Sequence, residues 1–166
     1  MEDNLGVVFI EGHEELLDQV KPLWEELNKI HMTKSRYFKK EYENKSYQER
    51  KKQLLRKNSV IRIDLVKKSE SDMFVGYCIS SINKDKEGTV ESIYVDECYR
   101  GKGIGDQLIE RHLDWMDKNR VKLKNLTILI GNEDVLNFYR RHNFFPKLIL
   151  LEQIPISSMP NCALSF

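Results

Sequence analysis

Apolar residues recur along this chain with two different periods, and the changes of period mark out its elements. Val7 to Ile10 reads as a short strand, followed by a helix from about Glu14 to Ile30. Its Leu16, Leu17, Val20, Leu23, Trp24 and Leu27 form one apolar face at helical spacing, and Pro22 limits its regularity. A second helical stretch, Tyr47 to Lys57, carries Leu54 and Leu55. From Ser59 the pattern is that of strands: Val60, Ile61, Ile63, Leu65 and Val66, a polar turn at Lys67 to Asp72, then Met73 to Ile82, which together predict a β-hairpin. A polar turn from Asn83 to Gly88 leads to a third strand, Thr89 to Val95. After Gly105 the period becomes 3.6, with Leu108, Ile109, His112, Leu113, Trp115 and Met116 forming a broad stripe down to about Lys118 that must pack on a sheet. A strand at Leu126 to Ile130, a helix from about Glu133 to His142 and a last strand near Lys147 to Glu152 complete the chain. The order β-α-α-β-β-β-α-β-α-β predicts an α/β fold in a single domain over residues 1–166, with antiparallel hairpins first and helix-crossed, parallel-type pairing later.

Composition narrows the function. The 166 residues are 40% hydrophobic and 32% charged, with 8 Gly and 4 Pro, which is ordinary globular chemistry. No stretch approaches the ~20 apolar residues that cross a bilayer, and the first residues lack the basic and apolar blocks of a secretory signal, so the expectation is a cytoplasmic protein without membrane contact. Three cysteines, Cys78, Cys98 and Cys162, with no C-x-x-C pair, read as reduced thiols. With 27 Lys+Arg against 26 Asp+Glu there is no excess charge for neutralising nucleic-acid phosphates, so nucleic acid is not an expected partner. The four histidines show no ligand spacing, and no metal is expected. The charge is unevenly spread: Glu2 to Thr33 holds eight acids and two bases, Lys34 to Lys57 ten bases and three acids. The basic run reads first as a solvated helix face and otherwise as a contact for an anionic substrate, partner or phosphate.

One segment carries chemistry. Arg100-Gly101-Lys102-Gly103-Ile104-Gly105 places glycines at alternate positions directly before an amphipathic helix. Without Cβ atoms the backbone N–H groups can approach a ligand, and the helix N-terminus adds orphan donors and a positive dipole end. A phosphate or pyrophosphate is the natural guest, with Arg100 and Lys102 adding charge, although such glycines can also be an ordinary turn. A Walker loop is excluded, because Gly105 is followed by Asp106 and Gln107. The dinucleotide fingerprint fits poorly, because Asp96 to Arg100 separate the strand from the glycines and two hairpins precede it.

The remaining pattern, R-x-x-G-x-G after Val90-Glu91-Ser92-Ile93-Tyr94-Val95, resembles the GCN5-related N-acetyltransferases, which use acetyl-coenzyme A. A second block, Asn132, then Phe138-Tyr139, then Asn143-Phe144, is similar to that family's later motif, with Asn143 standing where the family commonly has Gly at a helix end. Asn is the next-best residue for a left-handed cap. The resemblance implies a mixed, mostly antiparallel sheet of six to seven strands with flanking helices and a splay between the fourth and fifth strands. It implies acetyl-CoA as co-substrate, held by Ile93, Tyr94 and Val95 along the pantetheine arm, by Arg100, Gly101, Lys102, Gly103, Ile104 and Gly105 at the pyrophosphate, and by Asn132, which also reads as a helix N-cap.

Acyl transfer to an amine needs a base, because an amine of pKa near 10.4 is only about 0.04% neutral at pH 7. Glu91 stands where related polyamine acetyltransferases have a carboxylate proposed for that role; its other reading is a solvent-facing strand Glu in an ion pair. Tyr139 matches the family's general acid, although packing with Val135, Phe138 and His142 would also explain it. The resemblance also implies an oxyanion donor, a backbone N–H near Tyr94 or Val95 where the third strand bulges. His31, Tyr37 and Phe38 fall where the family builds its acceptor pocket, for a small-molecule or protein amine. Family members pair through C-terminal strands, a use open to Ile149, Leu150, Leu151, Ile154 and Ile156 in a homodimer. Cys98 precedes the loop, but no base sits beside it in sequence. The rival to an enzyme is a non-catalytic acyl-CoA-binding regulatory module.

Overall fold

The hairpin expected from the alternating apolar positions is the centre of the sheet. In the computed structural model, which describes residues 6–56 and 60–154, the strands are β1 (Val7–Gly12), β2 (Val60–Lys68), β3 (Phe74–Ile82), β4 (Glu87–Val95) and β5 (Leu123–Leu126). They lie in the order β1-β2-β3-β4-β5, with every pairing antiparallel except β4 with β5, which is parallel. The helices are α1 (Leu17–Lys34), α2 (Lys39–Glu43), α3 (Tyr47–Arg56), α4 (Ile104–Lys118) and α5 (Leu136–Arg141).

The described chain divides into two compact units, residues 6–27, 45–56 and 60–127 in one and 28–44 with 128–154 in the other. The first contains the whole sheet. β2 and β3 have a strand on each edge, and most of their residues are buried on both faces. On one face Tyr77, Ile79 and Ser81 alternate with Cys78 and Ser80 on the other, as the two-residue period of a strand requires. α4 lies over the second face, where Leu108, Ile109, His112 and Met116 are buried. In the second unit, Tyr42 of α2 is buried, stacks against His31 at 5.8 Å, and its carbonyl accepts from Asn28 Nδ2 at 2.9 Å.

Several expectations are corrected. Among the described residues the sheet has five strands, not six to seven. The fifth was expected at Leu126 to Ile130 but pairs at Leu123–Leu126. Closure of the connection decides this: Val121 N donates to Met116 O at 3.0 Å and Lys122 N to Lys86 O at 2.8 Å, so the chain enters the ladder as soon as it leaves the helix. Lys147 to Glu152 forms no strand among the described residues; Leu148, Ile149, Leu150 and Leu151 are 76–88% exposed. An unbroken apolar run suits a strand covered on both faces, and these four side chains are covered on neither. α1 continues four residues beyond Ile30, after a 3-10 turn at Glu14–Leu16, and α2 was not expected. Ile156 and Cys162 lie outside the described residues.

Under α4 sits a charged cluster on the sheet. Asp64, fully buried, accepts from Arg62 Nε at 3.0 Å and from Arg111 Nε, while Arg62 Nη2 also donates to Glu11 at 2.8 Å. His112 is fully buried beside them, its Nδ1 2.8 Å from Ser80 Oγ and its Nε2 3.8 Å from Asp64 Oδ1. Burial pushes the His112 pKa down to about 3; Asp64 pulls it up, and Arg62 and Arg111 push it further down. Unfolded, the same imidazole takes up its proton near 6.5. Between these values the unfolded chain binds more protons than the native one, so this contribution to stability is full above about pH 6.5 and is lost as pH falls towards 3. The slope is at most about 1.4 kcal/mol per pH unit. Thermal melting of the wild type from pH 7 to pH 4 should show this decline, and His112→Gln should flatten it; parallel curves for the two proteins would show that His112 does not titrate on unfolding.

Candidate functional site

The register of β3 against β4 runs from Gly76↔Val95 to Ile79↔Ser92 and then resumes at Ser80↔Val90, so Glu91 is the extra residue of a β-bulge. The parallel ladder with β5 ends at the same place, at Val90↔Leu126, while β4 continues to Val95. The bulge was expected near Tyr94 or Val95; it lies three to four residues earlier. Those two residues sit in regular pairing with Tyr77 and Gly76.

Glu91 is ion-paired but does not face solvent. Its side chain is 5% exposed, Oε1 accepts from Ser81 Oγ at 2.8 Å, and Oε2 accepts from Arg50 Nη2 at 3.0 Å. The same arginine nitrogen donates to the Glu91 main-chain oxygen at 3.1 Å. Alongside, the Tyr77 and Ser92 hydroxyls are 2.7 Å apart. Arg50 belongs to the basic run that was expected to face solvent or an anionic ligand. Here Arg50 and its neighbour Lys51 instead meet carboxylates of the same chain, Lys51 reaching Asp18 at 2.6 Å.

Ile93, Tyr94 and Val95 finish β4, and Arg100 folds back on them: its Nε donates to Val95 O at 2.8 Å and its guanidinium lies 5.7 Å from the centre of the Tyr94 ring. Burial, and then Asp96, push the Tyr94 phenol above its usual range. Asp96 caps the 3-10 turn Glu97–Tyr99 by accepting from Cys98 N, and Lys102 lies over Tyr99 at 5.0 Å. Gly101 and Gly103 have φ of 73° and 80°, backbone that residues with a Cβ rarely adopt, and a Cβ built on either would meet no atom within 4 Å. Gly103 is the N-cap of α4, and Ile104 and Gly105 form its first turn. The loop is thus tied to β4 on one side, open on the other, and leads into the N-terminal turn of a 15-residue helix, whose first N–H groups have no carbonyl of the helix to bond and carry its positive dipole end. These features fit a coenzyme A pyrophosphate.

In the second unit, Asn132 stands at the N-cap of the 3-10 turn Glu133–Val135, but its side chain caps nothing there; Oδ1 accepts from Lys34 Nζ at 3.0 Å. Glu133 bonds Gly131 N instead, and Lys34 also bridges both oxygens of Asp134, whose pKa that hydrogen bond lowers. Tyr139 is buried in α5, edge-on to Phe138 at 5.0 Å and to Phe144 at 6.2 Å. Asn143 has φ of 62°; its N–H reaches Arg140 O and that of Phe144 reaches Tyr139 O. This is the paired closure of a left-handed helix end, with Phe144 packed back on the helix. His31 lies in the last turn of α1; Tyr37 is exposed beneath the Arg36 guanidinium, and Phe38 N donates to Ser35 Oγ just before α2.

Cys78 is buried, and that burial pushes its thiol pKa far up, which makes it a poor nucleophile. Among the described residues no group of three or more His, Cys, Asp or Glu could hold a metal ion, and no helix is long and apolar enough to cross a membrane.

The sequence model of the acetyltransferase (GNAT) family matches residues 24–144. The chain belongs to that family. A curated relative, an uncharacterized N-acetyltransferase of Methanocaldococcus jannaschii, is 31% identical over 72 residues; the match spans 43% of this chain and about a third, 32%, of that protein. Among solved structures, a protein of Pyrococcus furiosus described as an acetyl transferase superposes with a TM-score of 0.71 at 18% identity, covering 90% of this chain and 99% of the other. An aminoglycoside N-acetyltransferase in complex with coenzyme A gives 0.61 at 12%, covering 90% and 95%. At these identities the likeness is one of fold: an α/β GNAT-like fold with a five-stranded, mostly antiparallel sheet.

Within the first unit the structure brings together the GNAT strand and loop residues expected from sequence, Ile93 to Val95 with Arg100 to Gly105, and sets Glu91 on the same strand. Arg50, Ser81 and Lys34 were missed. Arg50 lies 41 residues from Glu91, and only the opposite signs of the first two segments hinted that basic side chains would find partners inside the chain. The helix end at Asn143 can be checked by urea denaturation: Asn143→Gly should match or exceed the wild type, whereas Asn143→Val should lose about 1–2 kcal/mol, because a β-branched residue is forced into left-handed backbone. Equal stability of all three would show that this end does not need a left-handed residue.

Proposed function

We propose that the chain is an acetyl-CoA-dependent N-acetyltransferase, acting over residues 1–166 as one acetyltransferase domain in the cytoplasm, and that it acetylates a primary amine of a small molecule or protein by direct attack in a ternary complex. The observation that carries this reading is the loop Arg100–Gly105. Two glycines in left-handed backbone, the start of α4, and an arginine fastened to β4 make a diphosphate cradle beside the strand whose ladder partner has just ended. Family membership and the coenzyme A complex of a structural neighbour support it.

Each residue then has a task. Gly101 to Gly105 would offer main-chain N–H groups to the phosphates, with Lys102 and the remaining Arg100 donors adding charge. Ile93 to Val95 would line the pantetheine arm, and a main-chain N–H near Tyr94 or Val95 would stabilise developing negative charge on the acyl oxygen. Glu91 would take the proton of the acceptor amine, directly or through water, and Tyr139 would give a proton to the departing sulfur. Asn132 would contact the co-substrate, and His31, Tyr37 and Phe38 would face the acceptor. Acetyl-CoA, when bound, supplies the activated thioester carbon that the amine nitrogen joins as the carbon–sulfur bond opens.

Calorimetry with coenzyme A, together with a coenzyme A release assay over a panel of amines, tests this. Gly103→Ala, whose added methyl meets no protein atom, should weaken binding about tenfold or more while the protein still melts cooperatively. Unchanged affinity would make the loop an ordinary turn. Tyr139→Phe should lower turnover far more than affinity, and equal turnover would remove Tyr139 from the mechanism. Tight binding by the wild type with no turnover on any amine would favour a non-catalytic acyl-CoA-binding module.

A further inference from the structure

We infer that Arg50 is a positioning residue for the acceptor side of the reaction: from α3 it fixes the bulge residue Glu91 by its main chain and its carboxylate together. The inference rests on the reading of Glu91 as the proton acceptor. A bulge inserts one residue into a strand and disrupts the ladder locally, so contacts beyond regular pairing help to set its direction. At Glu91 such contacts come from Arg50. One guanidinium nitrogen, Nη2, lies 3.1 Å from the Glu91 carbonyl oxygen and 3.0 Å from Oε2, while Ser81 of β3 holds Oε1 at 2.8 Å. Three hydrogen bonds from two elements hold the bulge residue.

Charge explains why an arginine does this. A side chain that is 5% exposed carries an ionised carboxylate only where cationic or hydrogen-bonding partners replace its lost water. Arg50 supplies the cation and is itself 22% exposed, so it is anchored within the helix–sheet layer at one end and wetted at the other. A bond to the main-chain oxygen adds what a bare ion pair would not: it fixes the turn of β4 at the residue where the β5 ladder has ended, and with it the direction of the strand leading to Tyr94 and Val95. Neither Lys51 nor Lys52, adjacent on α3, is given such a contact; Lys51 is used by Asp18.

The test is a double-substitution cycle with steady-state kinetics, using acetyl-CoA with spermidine, kanamycin and a peptide bearing a free N-terminus and a lysine, taking the fastest acceptor. Arg50→Gln should lower kcat on the order of tenfold to a hundredfold, as expected when a reacting group is misplaced, with KM for acetyl-CoA within about twofold of the wild type. Arg50→Lys, which keeps the cation, should recover part of the loss. In a Glu91→Gln background the further change Arg50→Gln should cost less than about twofold, because there is no carboxylate left to place. If Arg50→Gln does not fold, the same cycle is read with Arg50→Lys, whose smaller loss should likewise vanish beside Glu91→Gln. Wild-type kcat in the Arg50 variants, or a loss equally large in both backgrounds, overturns the inference while leaving a slow Glu91→Gln in support of the base. Full turnover by Glu91→Gln overturns the base reading and Arg50's role with it, and so does a wild type that turns over none of the three amines.

Discussion

A strand that loses its neighbour must satisfy its backbone polar groups in some other way or present them to a ligand. β4 reaches that point after four residues of parallel pairing, at Val90↔Leu126, with five residues still to run. Its other edge is secure, because pairing with β3 resumes at Ser92 after the bulge and continues to Val95. The departure is therefore a built feature of one edge, not fraying of the strand. The rest of the candidate site follows from it in chain order: the bulge residue with its carboxylate, the three residues Ile93 to Val95, and the loop that Arg100 ties back to Val95.

The helix that continues the loop is held from beneath by charge. Asp64 gathers Arg62 and Arg111, and Glu11 shares Arg62, between the sheet and α4. Buried ion pairs of this kind lose in desolvation much of what they gain in attraction, so their value lies in geometry more than in stability. Leu108, Ile109 and Met116 could press α4 onto the sheet at several rotations, since apolar contact is not directional. Arg111 on Asp64, with His112 against Ser80, admits far fewer. The N-terminus of α4, and hence the loop before it, is oriented by a polar cluster on the face of the sheet opposite Tyr77 and Ser81.

What could be read from sequence was what local backbone demands. Gly101 and Gly103 marked a loop free of Cβ atoms, which the structure shows in left-handed backbone at both, and Asn143 marked a helix end as the next-best residue for a left-handed cap. The central hairpin was legible because alternation and its turn lie within one short segment. The edges were not. β5 was expected at the apolar run Leu126 to Ile130, whereas the closure of the α4 connection put it three residues earlier. Leu148 to Leu151 looked like a strand, yet a strand is defined by a partner that composition does not name. Arg50 escaped notice for the same reason: its meaning is a contact 41 residues away, and in a run of ten bases nothing local distinguishes it from its neighbours.

The uneven charge along the chain finds its resolution in such contacts, and this bears on what the site can select. Lys51 meets Asp18, Arg50 meets Glu91 and Lys34 meets Asp134, so part of the basic run is matched inside the protein. A lone carboxylate would draw polycations from a distance set by the Debye length, about 8 Å at physiological ionic strength. One paired with a guanidinium at 3.0 Å presents a dipole, whose field decays faster with distance. On the proposed mechanism, then, Glu91 acts on an amine once it has arrived and does little to attract it. Discrimination between acceptors falls to the shape and hydrogen bonds of the groups around the amine, the kind of contact that loses most when one partner is left buried and unmatched.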